Sequence, residues 1–227
     1  MSIECLDHPP PFATEPLVQI ATQHANHVGR VRRFLFERCQ QGVCCVKFAY
    51  TAQSAADAAP IFKDLGVTRH FEAWDSDVPE GKVTDFRKAV DAKPDEKVVF
   101  SWFEYPDKAT RDATNEKMRS DERMKELGAN MPFDGKRMIM GGFDAIVEEG
   151  SGSGGYTDGF VVPVPEGRTD DYQKLAAKMA MVFRSHGANR VVEALSNDVD
   201  KGEVTDFYRA VKAEDGEKVV FSFIEWP

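Results

Sequence analysis

The chain contains most of one sequence motif twice. Residues 69–106 reappear at 190–227 without a gap, at a constant offset of 121 positions, and more than half of the aligned residues are identical. The segment VTDF at 83–86 returns at 204–207, and KVVFS at 97–101 returns at 218–222. The repeat therefore predicts two related modules of roughly 100 residues each, a common domain size.

The spacing of apolar residues predicts the same order of elements in both copies. In the first copy, an alanine-rich helix ends at Gly66, Asp107 caps a second helix that runs to about Leu127, and strands are predicted over 67–74, 97–105 and 136–147. In the second copy, a strand over 156–164 and a helix over 170–186 precede the repeated strands. The complete unit is β-α-β-β-α-β, so the predicted fold class is α+β, with ferredoxin-like (split βαβ) modules in tandem.

Neither copy is complete. The first module, residues 50–149, lacks its own first strand, and the second, residues 156–227, stops after its third strand, which we interpret as a truncation. A Gly/Ser linker at 150–155 separates them.

Residues 1–49 have no counterpart in the second copy. They are predicted to form a helix, capped by Thr14 and continuing to Leu35, and a short strand at 43–50. Two segments could supply the first module's missing strand. Residues 156–164 could pair with 136–147 after a hairpin-like return, and residues 43–50 directly precede the first helix; the strand pattern favours 156–164.

Charge and composition limit the possible partners. The formal charge is −9 and the pI is about 5.1, so we expect no nucleic-acid binding, which depends on Lys and Arg neutralising phosphates. No apolar run approaches the ~20 residues that cross a bilayer, so no membrane partner is expected. All four cysteines lie in the first 45 residues, which argues against a disulfide scaffold and favours a cytoplasmic location.

Several motifs resemble the YbaA-like family of unknown function, domain-of-unknown-function family 1428. They are YTDGFVVPVP at 156–165, DVPEGKVTDF at 77–86, VFSW at 99–102, and MPFDGKRMI at 131–139 followed by GGF at 141–143. The resemblance covers about 51–149 and 156–227. It implies a dimeric α/β barrel, in which two four-stranded sheets pack face to face with helices outside, formed within one chain as a pseudo-dimer or between chains as a homo-oligomer. The wider superfamily includes small monooxygenases, isomerases and stress-induced proteins with no assigned reaction.

The repeated carboxylates are the candidate catalytic residues. Glu104 and Glu225 occupy equivalent places near the end of the third strand, and a carboxylate on an apolar strand could have a raised pKa and act as an acid or base. The alternative is a glutamate that reaches solvent or forms a salt bridge. Asp158, on the opening strand of the second copy, could join Glu193 and Glu225 in an acidic cluster inside the barrel.

A second repeated pair has a structural interpretation. Arg69 and Glu72 return as Arg190 and Glu193. Residues three apart on a strand point to opposite faces, so each is expected to pair with another strand or with the other copy.

Candidate ligand-binding residues are Trp102, on the same strand face as Glu104, and Arg137, which follows an Asp-Gly turn and could meet an anion. The alternative for Arg137 is a solvated charge beside that turn. No metal site is expected, because His24 and His27 lack the i,i+4 spacing and Cys44 and Cys45 are adjacent. No phosphate loop or nucleotide fingerprint is present, so no cofactor is expected.

Two functional hypotheses follow. The first is a barrel that binds a small molecule, either as a binding protein or as a cofactor-free enzyme. The second is a non-catalytic module whose paired sheets serve oligomerisation. The orientation of Glu104, Glu193 and Glu225, into a cavity or away from one, distinguishes the two.

Overall fold

The computed structural model describes residues 18–23, 46–48, 52–129, 131, 133–152 and 154–227. Within them the chain is α+β, with antiparallel sheets and flanking helices. The strands are β1 (Val18–Gln23), β2 (Val46–Phe48), β3 (Arg69–Trp74), β4 (Val98–Glu104), β5 (Gly142–Gly150), β6 (Tyr156–Pro165), β7 (Arg190–Asp198) and β8 (Glu217–Trp226). The helices are α1 (Ala52–Leu65), α2 (Phe86–Ala89), α3 (Lys108–Ser120), α4 (Glu122–Ala129), α5 (Thr169–Ser185) and α6 (Phe207–Ala210).

Local sequence signals set most of these boundaries. The carboxylate of Asp107 accepts a hydrogen bond of 2.7 Å from the Thr110 backbone and caps α3, as predicted. The predicted long helix is divided, because Asp121 is extended and begins α4 as a separate element. Helices α1 and α5 stop before Gly66 and Gly187, whose φ angles of +120° and +103° favour glycine.

A three-stranded sheet has the order β2-β4-β3. Strand β2 pairs with β4, with Val46 opposite Phe100 and Phe48 opposite Val98. The predicted short strand at 43–50 is therefore confirmed over Val46–Phe48. It lies beside β4, whose repeat counterpart in the second copy is β8.

The five-stranded sheet has the order β1-β6-β8-β7-β5 and contains strands from both copies. Strand β5 belongs to the first copy by sequence, but it pairs with β7 of the second copy, from Gly142 opposite Asp198 to Gly150 opposite Arg190. The prediction that 156–164 pairs with 136–147 is wrong, because β6 pairs with β1 and β8 instead. The last strand of the first copy also begins at Gly142, after a short 3₁₀ turn at Gly135–Arg137.

The linker permits this arrangement. Strands β5 and β6 are separated by β7 and β8, a distance of three strand spacings, or about 14 Å. The chain from the end of β5 to the start of β6 can extend to about 20 Å. A short connection therefore does not require β5 and β6 to be neighbours in the sheet.

The N-terminal helix prediction is wrong over Val18–Gln23, which form strand β1 at the edge of the five-stranded sheet. Apolar residues at 18 and 20 fit strand alternation as well as a helical period, and pairing with β6 decides between them. The rest of the predicted helix, with His24 and His27, lies outside the described residues, as do the four cysteines.

The two sheets pack face to face and the helices cover their outer faces. The central core contains residues from both sheets, including Phe100 and Trp102 of β4 and Phe221 and Phe223 of β8. A second core lies beneath α5, and a third lies between β4 and the helices α1, α3 and α4. The predicted alternation of β4 is confirmed, since Phe100 and Trp102 face the other sheet and Phe103 faces the helices.

Candidate functional site

The repeated arginines and glutamates meet between the two sheets. Arg69, Glu104, Arg190 and Glu225 form one cluster, which we call the Arg–Glu network. Arg69 donates two hydrogen bonds to the Glu225 carboxylate, one of them from Nη1 to Oε2 at 3.0 Å. Arg190 Nη1 donates to Glu104 Oε1 at 2.6 Å. Weaker ion pairs of 3.5 Å (Arg69–Glu104) and 3.6 Å (Arg190–Glu225) close the network.

The pairing within this network is reciprocal between the copies. Arg69 and Glu104 belong to the first copy, and their counterparts at the offset of 121 are Arg190 and Glu225. Each arginine makes its shortest contacts with the glutamate of the other copy. Two equivalent surfaces that contact each other in this way are related by a two-fold axis, as in an isologous interface.

A second pair of contacts has the same reciprocity. Thr84 Oγ1 donates to the carbonyl of Ala210 at 2.6 Å, and Thr205 Oγ1 donates to the carbonyl of Ala89 at 2.6 Å. Thr205 and Ala210 are the repeat counterparts of Thr84 and Ala89. The local two-fold relation therefore extends from the strands to the loops that carry α2 and α6.

The side chains of the network are mostly buried. The Glu225 side chain has an exposed fraction of 0%, Arg190 of 8%, Glu104 of 9% and Arg69 of 22%. Burial alone lowers the pKa of Arg190, but the hydrogen bond and charge of Glu104, with the charges of Glu148 and Glu225, outweigh it and raise that pKa. Arg190 therefore stays a cation throughout the physiological range.

Aromatic rings surround the network and fill the space between the sheets. Trp102 is fully buried and stacks between Phe223, at a centroid distance of 3.9 Å, and Phe71, at 4.2 Å. Phe100 stacks on its own repeat counterpart, Phe221, at 4.7 Å. The Trp102 indole N–H donates to Glu104 Oε1 at 3.0 Å. Trp102, a candidate ligand-binding residue, thus contributes to the core and orients a carboxylate.

The structure does not bring Asp158, Glu193 and Glu225 together, so the predicted acidic cluster is wrong. Glu225 faces the other sheet, whereas Asp158 accepts a hydrogen bond of 2.9 Å from the Trp226 indole on the helix-covered face. Glu193 lies under α5, where its carboxylate is 2.7 Å from the Tyr172 hydroxyl. The strand register places Asp158 and Glu193 on the helix-covered face and Glu225 on the face toward the other sheet.

Among the described carboxylates for which a pKa shift is resolved, Glu193 is the one whose pKa is raised. Burial raises it to about 7, although hydrogen bonds from Tyr172 and Ser222 lower it in part. Burial and the charge of Glu193 likewise raise the pKa of the Tyr172 phenol. The counterpart of Glu193 in the first copy, Glu72, is instead 2.8 Å from His70 Nε2. The two helix-covered carboxylates therefore have different partners.

Arg137 is held by acidic neighbours. Its guanidinium donates to both oxygens of Glu96, at 2.7 and 2.6 Å, and to Asp134 at 3.0 Å. The Arg137 hydrogen bonds and the Lys93 backbone N–H lower the pKa of Glu96 to about 2. These contacts fix the loop before β5 and leave little of the charge of Arg137 for an anionic ligand.

Sequence reasoning missed Glu148 and Tyr172. Glu148 of β5 accepts a hydrogen bond of 2.9 Å from Arg190 Nε and forms an ion pair of 2.8 Å with Arg190 Nη2, and so links β5 to the network. Neither residue lies in the repeated segment, so the duplication gave no signal for them. The periodicity of α5 could have placed Tyr172 toward the sheet, in line with Ala176.

Across the ranges that the structure describes, no three His, Cys, Asp or Glu side chains are grouped as a metal ion would require. None of the helices in those ranges combines the length and apolar character of a membrane span.

Comparison with known proteins finds relatives without an assigned activity. The uncharacterized protein YbaA of Escherichia coli strain K12 is 64% identical over 97 residues, which cover 43% of this chain and 83% of that protein. The uncharacterized protein YbaA of Shigella flexneri matches to the same extent. Residues 45–135 and 155–227 both match the family model described as a protein of unknown function, DUF1428. These two matched stretches each contain one arginine and one glutamate of the Arg–Glu network, and the chain belongs to the DUF1428 family.

Proposed function

We propose that the sheet face carrying the Arg–Glu network is a self-association surface, and that the protein is a non-catalytic assembly module. In this proposal the two ferredoxin-like copies form an intramolecular pseudo-dimer of the dimeric α/β-barrel type. The observation that carries it is the reciprocal crossing of Arg69 to Glu225 and Arg190 to Glu104.

The strand orders support the pseudo-dimer. The three-stranded sheet runs β2-β4-β3 and the equivalent part of the other sheet runs β6-β8-β7. In both sheets the strands lie in the order first, third and second strand of a module. The same face of each module meets the other, so one surface is complementary to itself.

The filled interior favours assembly over ligand binding. A small-molecule barrel needs space and unsatisfied polar groups between its sheets. Here stacked rings occupy the space, and each glutamate of the network is neutralised by an arginine of the other copy. Buried ion pairs contribute little net stability compared with apolar contacts, but they penalise wrong registers, which suits a recognition surface.

A cleavable linker tests the proposal. A protease site inserted between Ser151 and Gly152 allows the folded chain to be cut between the modules. We expect the halves to migrate as one species in size-exclusion chromatography and native mass spectrometry after cleavage. If the two halves of the unaltered protein separate after cleavage, this result would contradict a self-association role for the surface.

Charge reversal supplies the matched variant. The double substitution Arg69→Glu and Arg190→Glu places four carboxylates at the centre of the interface, and we expect the cleaved halves to dissociate at a lower urea concentration than the unaltered halves, which β5 and β1 also join. Adding Glu104→Arg and Glu225→Arg restores the opposite charges with the direction of each pair inverted. We expect this fourfold variant to recover association at least in part, which a merely misfolded double variant could not do.

A further inference from the structure

The two copies differ in charge sign at four exposed positions that lie before and after the short helices α2 and α6. Each position has one sign in the first copy and the opposite sign in the second, at the offset of 121. The four pairs are Glu80 and Lys201, Lys82 and Glu203, Asp91 and Lys212, and Lys93 and Glu214. At every other position of the repeat where both copies carry Asp, Glu, Lys or Arg, the sign is the same. The inverted charges are therefore confined to the loops around these two helices.

Folding of the two copies does not require either sign at these positions. The charges that keep their sign include Asp85 and Asp206, which cap α2 and α6 by each accepting a hydrogen bond of 2.8 Å from a backbone N–H. Among the described residues, the inverted charges form a single ion pair, the 3.7 Å contact between Glu80 and Lys88. Helices α2 and α6 have the same length and the same cap, so this local structure forms with either sign. The inverted charges are thus left exposed for contact with a partner.

The loops with inverted charges meet around the local two-fold axis. Helices α2 and α6 contact each other, and the reciprocal hydrogen bonds of Thr84 and Thr205 join the two loops beside them. Val83 and Val204 precede these threonines and have exposed fractions of 52% and 48%. Together these residues form one surface, which we call the loop surface and define as residues 80–83, 91–93, 201–204 and 212–214. The loop surface combines two exposed valines with charges of both signs.

We propose that the loop surface is a contact between two copies of the chain, which stack face to face through it. Rotation by 180° about the local axis exchanges the two loops and inverts each of these charges, so the surface carries as many cations as anions. A second copy of such a surface can be turned so that its cations lie nearest the anions of the first, while the valines supply apolar contact. A polyanion or an anionic membrane would instead meet as many anions as cations. Charge complementarity therefore favours a second copy as the partner.

The loop surface is distinct from the Arg–Glu network, and its residues lie together in one folded chain whether or not the network drives association of the modules. The contact is small, so we expect weak association, with a dissociation constant on the order of 10⁻⁵ to 10⁻⁴ M. Sedimentation velocity of the intact chain over a concentration series measures it, at about 0.1 M salt, where charges more than about 10 Å apart are largely screened. A chain that stays single throughout that concentration range would overturn the proposal.

Two charge variants test the pairing of opposite signs. An acidic variant replaces the cations of the loop surface with glutamate, and a basic variant replaces its anions with lysine. The substitutions are Lys82→Glu, Lys93→Glu, Lys201→Glu and Lys212→Glu in the acidic variant, and Glu80→Lys, Asp91→Lys, Glu203→Lys and Glu214→Lys in the basic variant. Each variant alone presents one sign to its own copy, so we expect its self-association to weaken at least about tenfold. Unchanged self-association of either variant would contradict the proposed contact.

Mixing the two variants distinguishes lost pairing from lost folding. We expect an equimolar mixture to associate at least as tightly as the unaltered chain, because each acidic loop surface then meets a basic one. Misfolded variants could not recover association in this way. A mixture that associates no more tightly than the separate variants would overturn the proposal.

A matched control separates the loop surface from the overall charge of the chain. The substitutions Lys63→Glu, Lys117→Glu, Lys174→Glu and Lys178→Glu change the net charge as much as the acidic variant does, at exposed positions of α1, α3 and α5. We expect this control to self-associate within about threefold of the unaltered chain, and to bind the basic variant at least about tenfold more weakly than the acidic variant does. Equal binding of the basic variant by the control and by the acidic variant would show attraction through net charge alone and would exclude the loop surface as the site.

Discussion

Replacing Arg69 with methionine should lower the free energy of unfolding more than replacing its partner Glu225 with glutamine. The substitution keeps roughly the length of the side chain, but among the described residues it leaves the buried Glu225 carboxylate with one remaining ion pair, the 3.6 Å contact to Arg190. Removing one partner of a buried ion pair costs about 3–5 kcal/mol. Arg69 is 22% exposed and Arg190 remains, so we expect about 2–3 kcal/mol for Arg69→Met at pH 7.

The partner substitution should cost less. Glu225→Gln leaves an arginine that can turn toward solvent, and Gln can still accept a hydrogen bond, so we expect about 1–2 kcal/mol. Because the two residues share one interaction, the double variant should be more stable than the sum of the single effects predicts, by about 1 kcal/mol or more.

Urea denaturation followed by circular dichroism measures these free energies, with the slope of the transition compared among variants. Arg123→Met is the matched control. Arg123 also bonds two carboxylates, Asp121 at 2.8 Å and Asp64 at 3.2 Å, but it is 47% exposed and should cost less than about 1 kcal/mol. A cost for Arg69→Met no larger than that control, or strict additivity with Glu225→Gln, would refute the reasoning.

Three other predictions concern packing, pH and charge. Gly159→Ala should destabilise by about 1–3 kcal/mol in urea denaturation, because a Cβ would lie 2.8 Å from the Phe100 ring, whereas Gly167→Ala, with open space around it, should be nearly neutral. The raised pKa of Glu193, about 7, favours the protonated carboxyl in the folded state. Its contribution is therefore complete below the unfolded value near 4.5 and is lost as pH rises toward 7, by up to about 3 kcal/mol. Glu193→Gln should flatten that decline in thermal unfolding between pH 4.5 and 8, and an unchanged profile would exclude Glu193 as its source. Finally, the charge of −9 predicts no tight binding to generic RNA or duplex DNA at physiological salt, and a salt-sensitive, sub-micromolar gel shift would contradict this.

The sequence predicted local structure well wherever the repeat or a cap determined it. Asp107, Gly66 and the alternation along β4 act through neighbouring residues, so a linear pattern contains their effect. The pairing of β5 with a strand of the other copy, which we call the exchange of β5, could not be predicted in this way. Its pairing with β7 depends on which sheet edge is free after the two modules have packed, and that is a property of the assembled molecule.

The same distinction between local features and pairing in the assembled molecule applies to the candidate site. The duplication singled out Arg69 and Glu104 together with their counterparts, and the predicted opposite orientation of Arg69 and Glu72 is confirmed. The crossing of each arginine to the other copy's glutamate was left open among several pairings. Strand parity alone could not separate a cluster of carboxylates from carboxylates on opposite faces, because the register between β6, β7 and β8 was unknown.

The exchange of β5 separates the unit of duplication from the unit of folding. The two sequence copies meet near residue 150, yet the backbone hydrogen bonds of β5 belong to the sheet of the other copy. Glu148 also carries a first-copy carboxylate to Arg190 of the second. Neither half can therefore lose its structure without removing an edge strand or a charge partner from the other. A substitution in β5 therefore affects two modules at once, although the strand is encoded in only one of them.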